Sequence, residues 1–166
     1  MLFRSIEIEK KDFKEPITHI PEEYDFPDKL YEDHWENACA WGVLVNGELV
    51  AAIETAQEFW SSRLRITELW VKEEYRKQGI GQALIEMAKE QASRDCCRAI
   101  ILETQSCNVN AIDFYLHEGF VLIGMDTCCY KNNDLQRKEV RLELAFFLQE
   151  KKRLNGQESG EGFRQG

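Results

Sequence analysis

Residues 66–84 read ITELWVKEEYRKQGIGQAL, and the fold prediction starts from this stretch. An apolar run over residues 66–71 ends at a charged turn, and Gly79-Ile80-Gly81 then opens an amphipathic helix. Free backbone N–H groups and the positive end of the helix dipole favour an anion at such a strand–turn–helix junction. Glycine lets the backbone approach the anion closely because no Cβ intervenes. The stretch therefore predicts an anion-binding turn.

Two common phosphate-binding patterns do not fit this chain. Dinucleotide-binding folds need G-x-G-x-x-G, whereas the turn contains only Gly79 and Gly81. Gly119 and Gly124 have the glycine spacing of a Walker loop, but the two residues after Gly124 are not Lys and Ser or Thr. The anion at the turn therefore belongs to another class of ligand.

The turn resembles the acyl-CoA signature of the GNAT (Gcn5-related N-acetyltransferase) superfamily, [RQ]-x-x-G-x-[GA], because residues 76–81 read RKQGIG. In that family the turn binds the pyrophosphate of acetyl-CoA. A second family feature is N-x-x-A-x-x-[FL]-Y followed by a glycine and an aromatic residue, and NVNAIDFYLHEGF over residues 108–120 matches it. Since both features occur in order over residues 64–126, the sequence is identified as a member of the superfamily.

A narrower resemblance covers roughly residues 64–131, and it is carried by residues 102–130, LETQSCNVNAIDFYLHEGFVLIGMDTCCY, which look like streptothricin acetyltransferases. This resemblance implies an acetyl-CoA-dependent N-acetyltransferase that acts on a small cationic amine, with a streptothricin-type antibiotic as the first candidate and antibiotic resistance as the role. The N-terminal third and residues 138–141 match the subgroup poorly. A protein or peptide amine as acceptor, and a non-catalytic acyl-CoA-binding module, therefore stay open as alternatives.

The family resemblance also implies roles for individual residues. Tyr115 matches the general acid that points at the CoA sulfur, and otherwise it is an ordinary buried tyrosine. Glu68 is the first candidate for the base that accepts the amine proton, with Glu54 second, Glu103 third and a water-mediated route left open. The predicted acetyl-CoA contacts are Leu69, Trp70, Val71, Arg76, Lys77, Gln78, Gly79, Ile80, Gly81, Gln82, Asn108, Asn110 and Tyr115.

Two of these assignments depend on backbone features. In the family a gap opens between two strands, here near residues 68–71, and backbone groups of Leu69 and Val71 are expected to bind the pantetheine arm there. Asn108 and Asn110 lie at or near the CoA-arm contacts of the family. Either asparagine is equally suited to cap a helix.

Hydrophobic periodicity predicts a mixed sheet in a single domain over residues 1–149, and composition predicts a disordered tail over residues 150–166. The family resemblance implies an α/β (α+β) fold with a mixed, mostly antiparallel twisted sheet flanked by helices. The predicted strands are residues 2–9, 40–45, 48–55, 64–71, 98–103, 120–125 and 140–148, and the predicted helices are residues 28–37, 79–94 and 108–117. Residues 128–130 either extend a strand or form an edge. The expected buried face of the second helix is Ile80, Ala83, Leu84, Met87, Ala88 and Ala92.

Composition restricts the partners. The 166 residues carry a formal charge of −9, which disfavours nucleic acid and anionic membranes and weakly favours cationic substrates. Acids interleave with aromatics over residues 22–36, which are predicted to form the amine-recognition surface or else a solvated helix face. The six cysteines show no C-x-x-C and no zinc-ligand spacing, so reduced thiols and no metal are expected.

The remaining expectations concern location and assembly. The sequence contains no stretch of about 18 apolar residues and no signal peptide. A soluble, cytoplasmic protein is therefore expected. Many members of the family are dimers, so a homodimer is possible, although no dimer seam can be read from the sequence.

Overall fold

The computed structural model describes residues 9–11, 14 and 30–149 of the chain. The predicted first strand, apart from Glu9, and the predicted tail over residues 150–166 lie outside these residues. The strands are β1 Cys39–Val45, β2 Glu48–Glu58, β3 Arg63–Val71, β4 Ala99–Gln105, β5 Val121–Asp126 and β6 Arg141–Phe147. The helices are α1 Ile80–Arg94, α2 Val109–His117 and the short α3 Asp134–Arg137, which the periodicity did not predict.

The first two strands form the predicted hairpin. Asn46 and Gly47 connect β1 to β2, and both have positive φ angles, of 52° and 83°. A two-residue hairpin turn of type I′ requires positive φ at both positions, and Asn-Gly accommodates it with little strain. The antiparallel pairing runs from Cys39 opposite Thr55 to Val45 opposite Glu48.

The six strands form one sheet in the order β1-β2-β3-β4-β6-β5. Among the described strands only β3 and β4 pair in parallel, and the other neighbours are antiparallel, so the predicted mixed and mostly antiparallel sheet is confirmed. The parallel pairing is short. It joins residues 63–65 to residues 99–101, although β3 continues to Val71 and β4 to Gln105.

The hydrophobic core lies between the helices and one face of the sheet. Its buried members include Leu84, Ile85, Ala88 and Ala92 of α1, Tyr115 of α2, and Ile53, Leu64, Ile100, Leu102, Leu142 and Leu144 of the strands. The periodicity placed Ala83 and Met87 on the buried face of α1, but both are exposed and Ile85 is fully buried. Leu84 and Ile85 are only about 100° apart around the helix, so both edges of the apolar stripe reach the sheet.

The predicted helix over residues 28–37 is wrong where the structure describes it, because residues 30–37 form bends and turns. Tyr31 and Asn37 have φ angles of 60° and 59°, which no α-helix accommodates. The backbone N–H of Tyr31 instead donates a hydrogen bond to the carboxylate of Glu54 on β2. The acidic and aromatic segment is therefore tied to the sheet by side-chain contacts rather than by helical hydrogen bonds.

The connection from β5 to β6 also differs from the prediction. Residues 127–130 are bends, so they neither extend β5 nor form an edge strand. Asp134, which is 1% exposed, accepts hydrogen bonds from the backbone N–H groups of Tyr130 at 2.9 Å and Lys131 at 2.7 Å. This buried carboxylate organises the turn that leads into α3.

Two further features of the described chain concern its cysteines and the length of its helices. All six cysteines are free thiols. Among residues 9–11, 14 and 30–149, no helix is long and apolar enough to cross a membrane.

Candidate active site

The turn between β3 and α1 presents unpaired backbone donors. Gly79 is the N-cap residue of α1 with a φ of 82°, and no side chain caps this helix end. The first bond within the helix runs from the N–H of Ala83 to the carbonyl of Gly79 at 3.0 Å. The N–H groups of Ile80, Gly81 and Gln82 therefore have no intrahelical partner and are available to an anion.

Side chains on both sides of the turn hold its shape. The Nε of Arg76 donates to the carbonyl of Val71 at 2.9 Å, and the amide of Gln78 donates to the carbonyl of Glu74 at 3.0 Å. A Cβ added at Gly81 would lie 3.3 Å from the ring of Phe114 on α2. Glycine at this position therefore allows the start of α1 to pack closely against α2.

The strands β3 and β4 separate just before the turn, and the opening expected near residues 68–71 is present. Their pairing stops at Arg65 and Ile101. On the opposite side of β3, the N–H of Lys72 donates to the carbonyl of Val50 at 2.8 Å. Because backbone groups alternate in direction along a strand, those of Leu69 and Val71 point into the opening.

A cavity of about 900 Å³ extends from this opening to the start of α1. It is lined by Leu69, Trp70, Val71, Glu73, Tyr75, Arg76, Lys77, Gly79, Gly81, Gln82, Asn108, Asn110, Ala111, Phe114, Tyr115, His117 and Glu118. Most of the predicted CoA contacts therefore surround one space. Gln78 and Ile80 do not line it, since the Gln78 amide bonds to the turn and the Ile80 side chain packs against the core.

Sequence analysis did not include several residues of α2 that line the cavity. Phe114, His117 and Glu118 follow Asn110 and Ala111 at three- and four-residue spacing, so they occupy the same face of the helix. This three- and four-residue spacing is the sequence signal from which these lining residues could have been predicted. The N-x-x-A-x-x-[FL]-Y pattern already marks this face, and one further helical turn extends it.

Tyr115 lies at the inner end of the cavity and is 8% exposed. The rings of Phe114 and Phe120 flank it with centroid distances of 5.3 and 5.6 Å. Burial, and to a lesser extent the negative charge of Glu68, raises the pKa of the Tyr115 phenol well above its ordinary value. The phenol is therefore protonated at neutral pH, as an ordinary tyrosine is, and it carries a proton that can be donated or shared in a hydrogen bond.

Asn108 takes the alternative role that its sequence position allowed. It is the N-cap residue of α2, and its side-chain oxygen accepts a hydrogen bond from the N–H of Ala111 at 3.2 Å. The side chain also lines the cavity. Asn110 is exposed at the cavity wall, one residue inside the helix.

The three candidate bases have different surroundings. Glu54 on β2 is 0% exposed and stands opposite Glu68 in the β2–β3 ladder, so both side chains emerge on the same face of the sheet. Glu68 is half-buried, and its charge acts on Tyr115, although it is not a lining residue of the cavity. Glu103 is paired with Arg65 at 2.6 Å and with Arg141 at 3.3 Å, which neutralise its charge.

The described part of the acidic and aromatic segment covers this same face of the sheet. The ring of Trp35 lies 5.8 Å from the guanidinium carbon of Arg65, and Tyr31 contacts Glu54 through its backbone. The predicted amine-recognition surface is therefore adjacent to the candidate bases over residues 30–36. Residues 22–29 of the same prediction lie outside the described residues.

Comparison with protein families identifies the chain at this point. A model of the acetyltransferase (GNAT) family matches residues 5–120, which is more than half of the chain. The chain belongs to the GNAT family. The uncapped turn, the strand opening and the N-x-x-A-x-x-[FL]-Y helix are thus parts of one family core.

Individual relatives include streptothricin acetyltransferases and N-alpha-acetyltransferases. A streptothricin acetyltransferase from Escherichia coli is 34% identical over 116 residues, which are 70% of this chain and 64% of the relative. N-alpha-acetyltransferase 30 from Dictyostelium discoideum is 29% identical over 107 residues, which are 63% of this chain and 57% of the relative. The chain thus spans less than two thirds of the length of each.

Solved structures include a similar GNAT protein with its co-substrate bound. A Bacillus anthracis protein assigned as a streptothricin acetyltransferase, in complex with acetyl coenzyme A, superimposes with a TM-score of 0.62. It is 29% identical, and the match covers 80% of this chain and 70% of that one. The mixed sheet flanked by helices is accordingly the GNAT fold.

Proposed function

We propose that the chain is an acetyl-CoA-dependent N-acetyltransferase that transfers acetyl directly to the amine of a small cationic substrate, with a streptothricin-type antibiotic as the first candidate. The observation that carries the proposal is the continuity of one cavity. It runs from the uncapped start of α1, along the opening beside β3, to the buried phenol of Tyr115. The E. coli and B. anthracis relatives support the choice of acceptor, and resistance to the antibiotic is the role proposed for it.

The residues present fit acetyl-CoA as a co-substrate. Three backbone N–H groups and the helix dipole at the start of α1 suit the pyrophosphate, and Lys77 adds positive charge at the same turn. The inward-facing backbone groups of Leu69 and the N–H of Val71 suit the amides of the pantetheine arm. The carbonyl of Val71 is already bonded to Arg76, so it is not free for the arm. A cavity of about 900 Å³ is near the upper end of the usual range for small-molecule sites.

The protein residues then have separate tasks in the transfer. Bound acetyl-CoA supplies the activated acetyl group as a thioester. The acceptor amine attacks only when it is neutral, so Glu68, directly or through water, takes up the proton that it loses. Tyr115, which is protonated at neutral pH, donates its proton to the departing sulfur of CoA. The overall step forms an amide N–C bond and breaks the thioester C–S bond.

A protein or peptide amine is the second candidate acceptor. The Dictyostelium relative is named as an N-alpha-acetyltransferase, and its match covers nearly as much of this chain as the match to the E. coli relative. An open groove above β2 and β3 would favour this acceptor, because a peptide would have to lie across the face that carries Glu54 and Glu68. A closed acidic pocket favours a small amine.

Thiol release from acetyl-CoA across a panel of amines tests the proposal. The panel contains streptothricin, aminoglycosides, polyamines and lysine peptides, each assayed with wild type, Tyr115→Phe and Tyr130→Phe. Tyr130 is a matched control because burial likewise raises its pKa, while it does not line the cavity. We expect turnover of streptothricin that falls about 100-fold in Tyr115→Phe and is unchanged in Tyr130→Phe.

Other outcomes of the panel lead to other assignments. Turnover of lysine peptides alone moves the acceptor to proteins. CoA binding without transfer to any amine, and without an effect of Tyr115→Phe, assigns a non-catalytic acyl-CoA-binding module and overturns the proposal.

A further inference from the structure

Glu54 is a fully buried carboxylate with two defined hydrogen bonds. Its Oε1 accepts the hydroxyl of Thr67 at 2.7 Å, and its Oε2 accepts the backbone N–H of Tyr31 at 2.5 Å. The side chain is 0% exposed, so it has no free surface for contact with a substrate. A carboxylate in such a position is costly unless it is hydrogen-bonded, and here each oxygen has a donor.

The first partner, Thr67, is the extra residue of a β-bulge. In the β2–β3 ladder, Glu54 stands opposite Glu68 and Thr55 opposite Ile66, which leaves Thr67 without a partner on β2. A bulge bends its strand and redirects the side chains beside it. This bulge lies next to Glu68 and directly precedes the part of β3 whose backbone faces the cavity, so its geometry sets the direction of both.

The second partner, Tyr31, belongs to the chain segment that covers the face of the sheet carrying Glu54 and Glu68. Tyr31 has a φ of 60°, and its hydroxyl in turn accepts the N–H of Ala40 at 3.2 Å. Residues 31–38, named here the cover segment, contain no helix or strand that would fix them. The bond from Tyr31 to Glu54 is therefore a tie between the cover segment and the centre of the sheet.

We propose that Glu54 is a positioning residue that fixes the cover segment and the bulge at Thr67 relative to each other. This inference rests on the proposed transferase function, because the bulge adjoins both Glu68 and the β3 backbone that faces the acetyl-CoA cavity, while the cover segment lies on the acceptor side. One buried carboxylate thereby couples the two substrate sides of the reaction. The hydrogen bonds, rather than proton uptake, are what Glu54 contributes.

Two substitutions separate hydrogen bonding from charge. Glu54→Ala leaves the Thr67 hydroxyl and the Tyr31 N–H without their acceptor. Glu54→Gln preserves both contacts, since its Oε1 accepts the Tyr31 N–H and its Nε2 donates to the Thr67 hydroxyl, which is also an acceptor. Thr67→Val removes only the bulge contact while it keeps a β-branched side chain.

Thr55→Val is the matched control. Thr55 is also 0% exposed, and its hydroxyl bonds the side chain of Gln91 at 2.8 Å on the opposite face of the same strand. This variant therefore loses a buried hydrogen bond to α1 while the acceptor of the Thr67 hydroxyl and of the Tyr31 N–H stays in place. It separates a general loss of stability from the local effect.

Hydrogen–deuterium exchange is the first measurement because it requires no turnover. We expect amides of residues 31–38 and 66–69 to exchange at least about tenfold faster in Glu54→Ala than in Thr55→Val, and at near wild-type rates in Glu54→Gln. Thr67→Val is expected to accelerate exchange in residues 66–69 alone. Unchanged exchange of either segment in Glu54→Ala overturns the inference, even if no acceptor amine is ever found.

Kinetics with acetyl-CoA and streptothricin, or the amine that the panel selects, is the second measurement. We expect Glu54→Ala to lower kcat and raise the KM of the amine, each at least about fivefold, and Glu54→Gln to restore both to within about threefold. Thr67→Val is expected to lower kcat with little change in that KM. If Glu54→Gln is as inactive as Glu54→Ala while its exchange is normal, Glu54 acts by its charge, and the positioning role is overturned.

Discussion

Replacement of Gly79 by alanine isolates the contribution of backbone conformation to acetyl-CoA binding. Gly79 has a φ of 82°, and a Cβ built there meets no atom within 4 Å. The substitution therefore introduces no clash, and its whole cost is that of a left-handed conformation for a residue with a Cβ, about 1–2 kcal/mol. Because a Cβ at position 79 meets no atom of the described residues, the backbone there can relax in the free protein and avoid this cost.

The relaxed turn no longer directs its N–H groups at the pyrophosphate, so the cost reappears when acetyl-CoA binds. A penalty of about 1–2 kcal/mol corresponds to a Kd about 5- to 30-fold higher. The free energy of unfolding of the unliganded protein is expected to change by less than that penalty. Isothermal titration with acetyl-CoA and urea unfolding measure the two quantities separately.

Gly47→Ala provides the matched control for this prediction. Gly47 has a φ of 83°, and its Cβ would likewise meet nothing within 4 Å, but it lies in the β1–β2 hairpin turn away from the cavity. It should lose stability and leave the Kd unchanged. An unchanged Kd in Gly79→Ala, or an equal rise in Gly47→Ala, would refute the assignment of the turn as the pyrophosphate site.

Two further predictions concern stability. Because burial and the Glu68 charge raise the pKa of folded Tyr115 above the ordinary 10.0, the folded protein holds this proton more tightly than the unfolded chain. The stability that this proton contributes is complete below about pH 10, and above that pH it declines by up to about 1.4 kcal/mol per pH unit. Urea unfolding from pH 9 to 11.5 should therefore show a shallower decline of the free energy of unfolding in Tyr115→Phe than in wild type. Equal slopes in the two proteins would contradict the raised pKa. Asp134→Ala leaves the N–H groups of Tyr130 and Lys131 without their acceptor and should lower the free energy of unfolding by about 2–3 kcal/mol, whereas Asp134→Asn, which keeps one acceptor oxygen, should lose less. Equal losses in the two Asp134 variants in urea unfolding would argue against those hydrogen bonds.

The elements with strong local signals were predictable from the sequence. Asn46-Gly47 specifies its hairpin through φ angles that few other residue pairs adopt, and the start of α1 follows from glycines after an apolar strand. The order of the strands in the sheet could not be predicted from such local signals, and only the family resemblance bears on it. Nothing in local periodicity places β6 between β4 and β5, because that pairing joins residues 99–105 to residues 141–147 across a long stretch of chain.

The errors lie where side chains rather than backbone patterns determine the conformation. Residues 30–37 have composition suited to a helix, but a buried carboxylate on β2 captures the N–H of Tyr31. The same holds for α3, where Asp134 accepts two backbone N–H groups of the turn before it. Such contacts depend on which residues meet in three dimensions, and a single sequence does not carry that information.

The prediction of the site also succeeded where a local motif carried it and failed where contacts between strands decide. Most of the predicted positions within the two family motifs line the cavity, whereas the choice among the three glutamates required knowledge of their partners. Glu54 proved to be enclosed and doubly bonded, and Glu103 is held between two arginines. Spacing along the chain gives no access to such pairings, because each one joins residues from different strands.

The short contact between β3 and β4 has a mechanical consequence. The two antiparallel halves of the sheet, β1-β2-β3 and β4-β6-β5, pair through three residue pairs and one further bond of 2.8 Å from the N–H of Arg98 to the carbonyl of Ser62, and the Arg65–Glu103 ion pair also connects them. The two halves of the sheet are joined at residues 63–65 and 99–101 and separate beyond Arg65 and Ile101. A ligand in the opening that forms hydrogen bonds with both halves of the sheet would fix the angle between them. The stiffness of the whole domain is therefore expected to depend on what occupies the opening between β3 and β4.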